Sequence, residues 1–161
     1  MSRLDYCNVA LVGLTRCDLD RLQSVIDAAA RLTVGAQHYD HISPLLVDLH
    51  WLWMTERIQY RLCVLVLHGS ALCCLQQTIR TVASVESRRR LRSVTSSDLM
   101  VPATRRSTLG DRAFAVAGPR AWNNLPDAIR HSPSLETFKR SLKSHPFLQC
   151  FLLTLSFLVF V

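Results

Sequence analysis

The chain has 161 residues, of which 49% are hydrophobic, 19% charged and 7% aromatic. This length suits about one domain and is too short for a complete polymerase, a kinase or a two-domain dehydrogenase. Its 19 basic and 12 acidic residues give a net charge of +7, and 17 of the basic residues are arginine, whose guanidinium group suits bidentate phosphate contacts. Asp5 and Asn8 interrupt the place where a secretory signal would become apolar. We therefore expect no such signal, and reduced cysteines rather than a disulfide framework.

Helical patterns begin early in the chain. Leu4 to Leu11 predicts a short helix that ends at Gly13. The Thr15-Arg-Cys-Asp18 stretch then resembles a capping box, apolar residues follow at helical spacing, and Gly35 is a natural C-cap. These residues predict a long amphipathic helix between Thr15 and Gly35.

Two more helices are predicted before residue 80. Ser43-Pro44 has the N-cap and first-position residues of a short helix. Thr55 begins another helix, which we expect to end at Gly69. Its stretch from Leu62 to Leu67 is apolar on all sides, so we expect full burial. A buried strand is the alternative there, because six consecutive apolar residues fit both structures.

The second half gives weaker patterns. Residues 81–97 are rich in Ser, Thr and Arg and lack a periodic apolar face, which predicts a mobile basic linker. Leu99 to Val101 favours a short strand. Asp111 to Ala117 favours a helix that breaks near Gly118-Pro119, and residues 122–126 favour a helix end or turn.

A final helix is predicted after Ser134, a natural N-cap, with Leu135, Phe138 and Leu142 on its apolar face. The fold class is therefore mainly α. We expect an N-terminal helical bundle over residues 1–80, a basic Ser/Arg-rich linker over 81–98, a small irregular helical C-terminal segment over 99–146 and an apolar tail over 147–161.

Positive charge is concentrated in one part of the sequence. Residues 1–80 are neutral overall, residues 81–120 have a net charge of +5 and residues 121–146 have +2. Clustered arginine beside serine is typical of segments that bind RNA or DNA phosphates by counterion release, and of nuclear-import signals. A solvated loop without a partner is the structural alternative. The candidate nucleic-acid-binding residues are Arg88, Arg89, Arg90, Arg92, Arg105, Arg106, Arg112 and Arg120.

The sequence patterns do not predict catalysis. There is no Asp-Asp pair for a polymerase, no Gly-x-Ser-x-Gly elbow and no glycine-rich phosphate loop. His38, Asp40 and His41 are weak candidates for metal ligands, because no Cys or third His lies at a suitable spacing. Capping of the following helix is the simpler interpretation of Asp40 and His41. We therefore expect no enzyme activity, no metal and no cofactor.

Short sequence motifs follow one another in both halves of the chain. In order, they are Ser2-Arg-Leu-Asp-Tyr-Cys-Asn8, Leu22-Gln through Ala28-Ala-Ala-Arg-Leu32, Tyr39-Asp-His-Ile-Ser-Pro44, Asp48-Leu-His-Trp-Leu52, Val101-Pro102, Gly110-Asp-Arg-Ala-Phe114, Ala117-Gly-Pro-Arg120, Trp122-Asn-Asn-Leu-Pro126, Ser132-Pro-Ser-Leu135, Phe138-Lys139 and Leu142-Lys143. This order resembles the region downstream of the reverse transcriptase domain in LINE-type (non-LTR) retrotransposon polyproteins of the jockey-like kind. The resemblance covers residues 2–147.

The resemblance implies a thumb-like bundle over residues 1–80 and a connector segment over 99–146. In the parent RNA-directed DNA polymerase, these parts would grip the template–primer while the palm and endonuclease domains, expected outside this sequence, do the chemistry. The implied function is a non-catalytic part of a reverse transcriptase whose partner is RNA or an RNA–DNA hybrid. The chain departs from the family pattern at Trp53, which replaces a proline, at residues 71–75, at Ala103, which replaces an arginine, and throughout the tail.

Two alternatives belong to other classes. The first is a helical protein-interaction module without a nucleic-acid role. The second is a small membrane protein anchored through residues 147–161, in which only Gln149, Thr154 and Ser156 are polar. A 15-residue helix spans about 22 Å against about 30 Å of hydrocarbon, so this anchor would be short. If the protein is expressed, we expect a nuclear or cytoplasmic location.

Overall fold

The computed structural model describes residues 8–68, 76–84 and 97–145. Within these ranges the protein is mainly helical, as the sequence predicts. The helices are α1 (Arg16–Val34), α2 (Ile42–Asp48), α3 (Met54–His68), α4 (Ser107–Gly110), α5 (Phe114–Asn123), α6 (Asp127–Arg130) and α7 (135–145). Asn8–Leu11 and Val82–Ser84 form short 3-10 helices.

The chain forms two compact units that alternate along the sequence. Their described residues are 8–13 and 58–139 in the first unit, and 14–57 and 140–145 in the second. The main buried side chains of the first unit are Leu62, Cys63, Val116, Trp122, Ile129 and Phe138, and those of the second are Ile26, Ala30, Leu46, Met54 and Leu142. The predicted limits of the linker, residues 81 and 98, both lie within the first unit.

Helix α1 begins and ends where its sequence predicts. The Thr15 hydroxyl accepts a hydrogen bond from the Asp18 backbone N–H at 3.3 Å and donates one to the Asp18 carboxylate at 2.7 Å. At the other end, Gly35 adopts the left-handed conformation with φ of 72°. The Ala36 N–H then donates to the Arg31 carbonyl at 3.0 Å, which completes a Schellman-type C-cap. Both ends of α1 are thus satisfied by residues within the same short stretch.

Helix α2 begins earlier than its predicted start. Its N-cap is His41, which makes no side-chain capping bond, and Ser43-Pro44 lies inside the first turn. Pro44 fits there because the first N–H groups of a helix have no intrahelical acceptor. His50 ends the helix in a left-handed conformation with φ of 53°, and the Trp51 N–H donates to the Leu46 carbonyl at 2.8 Å. The helix end therefore has a Schellman geometry without a glycine, which the sequence did not indicate.

The apolar stretch from Leu62 to Leu67 lies within helix α3, so it forms a helix and not a strand. The helix begins at Met54, whose backbone N–H donates to the Gln23 side-chain oxygen at 2.8 Å. Leu62, Cys63 and Val64 are buried, whereas residues 65 and 66 are only half-buried. The expectation of burial on all sides is therefore wrong for residues 65 and 66, which follow the buried residues towards the C-terminal end of the helix.

Helix α5 corrects the predicted break at Gly118-Pro119. The helix starts at Phe114, three residues later than predicted, and continues through Pro119 to Asn123. Gly118 has no Cβ to clash with the proline ring, which removes part of the usual restriction on the residue before proline. A Cβ at Gly118 would lie 3.0 Å from Cγ2 of Val66 on α3. Close packing on α3 therefore favours a helix that its local sequence does not.

Of the elements predicted after residue 98, the strand is absent and the last helix is present. Residues 99–101 do not form a strand, and Leu99 makes only an isolated antiparallel bridge with Thr81. Ser134 is the N-cap of α7, since its hydroxyl accepts a hydrogen bond from the Thr137 N–H at 3.2 Å. Phe138 lies fully buried on α7, with its ring centroid 5.8 Å from that of Trp122. The helix end predicted at residues 122–126 is confirmed.

Candidate nucleic-acid interface

The densest arginine run in the sequence, Arg88, Arg89, Arg90 and Arg92, lies outside the described residues. The two ends of the predicted linker are described and lie side by side. The Val82 N–H donates to the Asp98 carbonyl at 3.1 Å. The Met100 N–H donates to the Arg80 carbonyl at 2.8 Å, on the far side of the Thr81–Leu99 bridge. The described residues on either side of this segment, 80–82 and 98–100, therefore lie next to each other in the first unit.

Two side chains of helix α5 bind the residues directly after this segment, Ser97 and Leu99. The Asn123 side-chain oxygen accepts from the Leu99 N–H at 2.9 Å, and its amide nitrogen donates to the Leu99 carbonyl at 2.8 Å. The indole N–H of Trp122 donates to the Ser97 carbonyl at 3.1 Å. Asn123 thus pairs with the backbone of Leu99 as a neighbouring strand would. This role had no signal in the sequence beyond the predicted helix end.

A buried arginine adds a third contact to the same end. The Arg130 side chain is 9% exposed and forms ion pairs with Asp98 and with Asp127 on its own helix. Two carboxylates compensate the one guanidinium, so Arg130 stabilises the fold and does not offer a free positive charge. The sequence pattern around Arg130 does not indicate this role.

Arg105 and Arg106 are the two candidate residues that remain free within the described part of the chain. Both are exposed, and neither side chain makes a hydrogen bond or an ion pair with another described residue. Both lie directly before α4: Arg105 is in a bend, and Arg106 is the N-cap of the helix, with extended backbone at φ of −121° and ψ of 108°. Their guanidinium groups are therefore available to phosphate oxygens, and no hydrogen bond of theirs to another described residue has to break first.

Arg112 has an internal partner. Its Nε donates to the Val12 carbonyl at 2.9 Å. The Arg112 side chain also lies over Gly13, where a Cβ would come within 2.6 Å of its Cγ, and Gly13 has φ of 70°. Arg112 therefore fixes the 8–13 segment within the first unit, and part of its hydrogen-bonding capacity is already used.

Arg120 is also paired. Its guanidinium forms an ion pair with Asp111, with an N–O distance of 3.0 Å. The Thr104 hydroxyl donates to the same carboxylate at 2.8 Å. Hydrogen bonds from Arg120 and Thr104 hold the pKa of the Asp111 carboxyl below its usual value. Asp111 thus offsets the charge of Arg120. Among the described candidates, Arg105 and Arg106 have no internal partner, whereas Arg112 and Arg120 each have one.

The described residues show neither a metal cluster nor a membrane span. No three His, Cys, Asp or Glu side chains among residues 8–68, 76–84 and 97–145 are grouped as metal ligands. Asp40 instead closes a turn by accepting the Gln37 N–H at 2.6 Å. None of the helices in these ranges is both long and apolar enough to cross a bilayer. The tail at 147–161 lies outside them.

Comparisons with known proteins add no identification. The chain matches no protein-family model, no curated protein and no solved structure. The candidate site therefore rests on the residues and the geometry described above.

Proposed function

We propose that the chain is a non-catalytic part of a LINE-type reverse transcriptase that binds the backbone of RNA or an RNA–DNA hybrid through the arginines of residues 81–120. The order of the family-like sequence motifs supports the assignment to this kind of polyprotein. The observation that supports the binding role is the pair of exposed arginines, Arg105 and Arg106, which have no partner among the described residues. They belong to the same compact unit as the fixed ends of the arginine-rich segment.

The proposed binding is an electrostatic contact with phosphates. Each arginine that contacts a phosphate displaces a condensed counterion, so affinity falls as salt rises. Aromatic residues do not alternate with the arginines in the 88–92 run, which leaves stacking on bases without support. We therefore expect a steep salt dependence and little preference for base sequence.

A salt titration of the full-length protein with a labelled RNA hairpin and a matched DNA duplex tests this proposal. In a plot of log affinity against log salt, replacement of both Arg105 and Arg106 by alanine should lower the slope by roughly one for each phosphate that the variant no longer binds. The control is the double variant Arg16→Ala/Arg21→Ala, which removes the same charge from exposed positions on α1. The proposal fails if the folded wild-type protein does not bind at low salt, or if both double variants change the slope equally.

One observation favours the protein-interaction alternative. Val25 and Leu32 lie seven residues apart on α1 with exposed fractions of 58% and 84%. This spacing places both on one face of the helix. Association through an apolar face depends little on salt, whereas phosphate binding weakens steeply. The same titration therefore separates the two functions.

A further inference from the structure

The segment around α4 combines features that belong together in a substrate of a protein kinase. It reads Arg105-Arg106-Ser107-Thr108-Leu109, with two arginines placed three and two residues before a threonine and an apolar residue directly after it. A kinase that discriminates among substrates does so largely by complementary charge. An acidic substrate cleft with an apolar pocket would fit this arrangement around the Thr108 hydroxyl.

The structure leaves all of these recognition groups accessible. Arg105, Arg106 and Thr108 are exposed, and Leu109 has an exposed fraction of 65%. The side chains of Arg105, Arg106 and Thr108 make no hydrogen bond with other described residues. A kinase that binds these side chains therefore displaces no partner of theirs within residues 8–68, 76–84 and 97–145.

The backbone of the segment is also easy to open. Arg106 is already extended, and α4 has only four residues and no side-chain cap at its N-terminus. A single turn of helix is marginal by itself, because nucleation fixes several residues for one hydrogen bond. The Gly110 N–H donates to the Arg106 carbonyl at 2.8 Å and closes this turn. Extension into an enzyme cleft thus requires little local unfolding.

The acidic residue nearest to Thr108 in the sequence has its charge offset by neighbours. Asp111 lies three residues after Thr108, and both Arg120 and Thr104 are bonded to its carboxylate. From Ala103 to Gly110 the sequence contains no Asp or Glu. The local charge that a kinase would meet is therefore positive.

We infer that Thr108 is a phosphorylation site for a serine/threonine kinase with an acidic substrate cleft. In this step the Thr108 Oγ forms a bond to the γ-phosphorus of ATP, and the bond from that phosphorus to the β–γ bridging oxygen breaks. The hydroxyl proton passes to the kinase's catalytic carboxylate, and ADP leaves. The product has about −1.5 to −2 charges beside Arg105 and Arg106.

This modification opposes the function proposed above, and that consequence rests on the proposed function. A phosphate on Thr108 competes with RNA phosphates for the two neighbouring guanidinium groups. The phosphorylated protein is therefore expected to bind the RNA hairpin more weakly at low salt. Site occupancy is measured before RNA is added, so failure of RNA binding would not affect the result for Thr108.

The test uses the full-length protein, Mg-ATP and the catalytic subunit of cyclic-AMP-dependent protein kinase as a probe with an acidic cleft. Peptide mass spectrometry then gives the initial rate at each serine and threonine. We expect phosphate on Thr108, and a rate at least about tenfold lower in Arg105→Ala/Arg106→Ala, because that variant cannot form the charge-assisted bonds to the cleft. Site-resolved rates separate Thr108 from Ser93, which has arginine three residues before it and valine after it.

Two variants of the same type serve as controls. Ser107→Ala removes the adjacent hydroxyl and should leave the rate at Thr108 within about twofold of the wild-type rate. Ser107 has no charge and lies between the arginines and Thr108, so an acidic cleft does not recognise it. Arg16→Ala/Arg21→Ala removes the same net charge on α1 and should also leave that rate unchanged. Three results would each overturn the inference: phosphate on Ser107 in preference to Thr108, no phosphate at Thr108, or a Thr108 rate that does not depend on Arg105 and Arg106.

Discussion

Helices α1 and α5 are stabilised by different kinds of contact. The ends of α1 are satisfied by its own neighbours, Thr15 and Gly35, while Val25 and Leu32 on its surface remain exposed. Helix α5 has no side-chain cap and contains Pro119 in its interior, yet five of its ten residues are buried. The first helix follows from local chemistry, and the second depends on what packs against it.

The two helices should differ in their sensitivity to substitution. Most helical stability in proteins comes from the packing of a buried face, because propensity alone rarely stabilises a short helix. Contacts around α5 link residues 20 or more positions apart, such as Asn123 with Leu99 and Gly118 with Val66. Changes there should affect the whole first unit, whereas changes at the ends of α1 should remain local.

The largest expected difference concerns cysteine reactivity. Cys17 on α1 is exposed, whereas Cys63 on α3 is buried and burial raises its pKa from 9.0 to about 12. At pH 8 the thiolate fraction of Cys63 should be about one thousandth of that of an ordinary thiol. Iodoacetamide labelling followed by peptide mass spectrometry should therefore find Cys17 modified while Cys63 stays unmodified, until urea unfolds the chain.

The same pKa sets the direction of the pH dependence. Because the folded pKa is above the unfolded value, the contribution of Cys63 to stability is complete below pH 9 and is lost as pH rises towards 12. Equal labelling of Cys17 and Cys63 in the native state at pH 8 would show that the region around α3 and α5 is not packed.

A large loss of stability is expected from Phe138→Ala. This fully buried ring packs near Trp122 of α5, so its removal leaves a cavity and should lower the free energy of unfolding by about 3–5 kcal/mol. Urea denaturation followed by circular dichroism measures the change. The matched variant Leu32→Ala, on the exposed face of α1, should stay within about 0.5 kcal/mol. Similar losses of stability in both variants would show that packing around α5 matters no more than the exposed face of α1.

An intermediate loss is expected from Asn123→Ala. The variant leaves the N–H and carbonyl of Leu99 without their partner, which should cost roughly 2 kcal/mol in the free energy of unfolding. Asn124→Ala is the control, because Asn124 is an exposed helix-end residue with no side-chain hydrogen bond to another described residue. Comparable denaturation midpoints for the two variants would contradict the assigned role of Asn123.

The smallest effect is expected at the N-cap of α1. Thr15→Ala removes the acceptor for the Asp18 N–H and should destabilise the helix by about 1 kcal/mol. Thr15→Ser retains the hydroxyl and should restore most of that loss. Hydrogen exchange localises the change, which we expect in the first turn of α1 only. Faster exchange in α5 of Thr15→Ala would show that the local cap also supports the other region.

Elements that depend on local contacts could be predicted from the amino-acid sequence. The capping residues of α1, the Ser134 cap of α7 and the helix end at residues 122–126 all involve atoms a few positions apart, so their pattern is visible in the sequence. The mainly helical class follows from the same local periodicity.

Three features follow from the fold and not from local sequence: the continuity of α5, the pairing of Asn123 with Leu99, and which candidate arginines have internal partners. Each depends on residues distant in sequence: Val66 packs against Gly118, and Arg112 reaches the Val12 carbonyl one hundred positions away. A charge count treats Arg106 and Arg112 alike, because it contains no information about internal partners. Whether an arginine is available to a ligand is a property of the folded chain, since folding places a competing acceptor beside some arginines and not beside others.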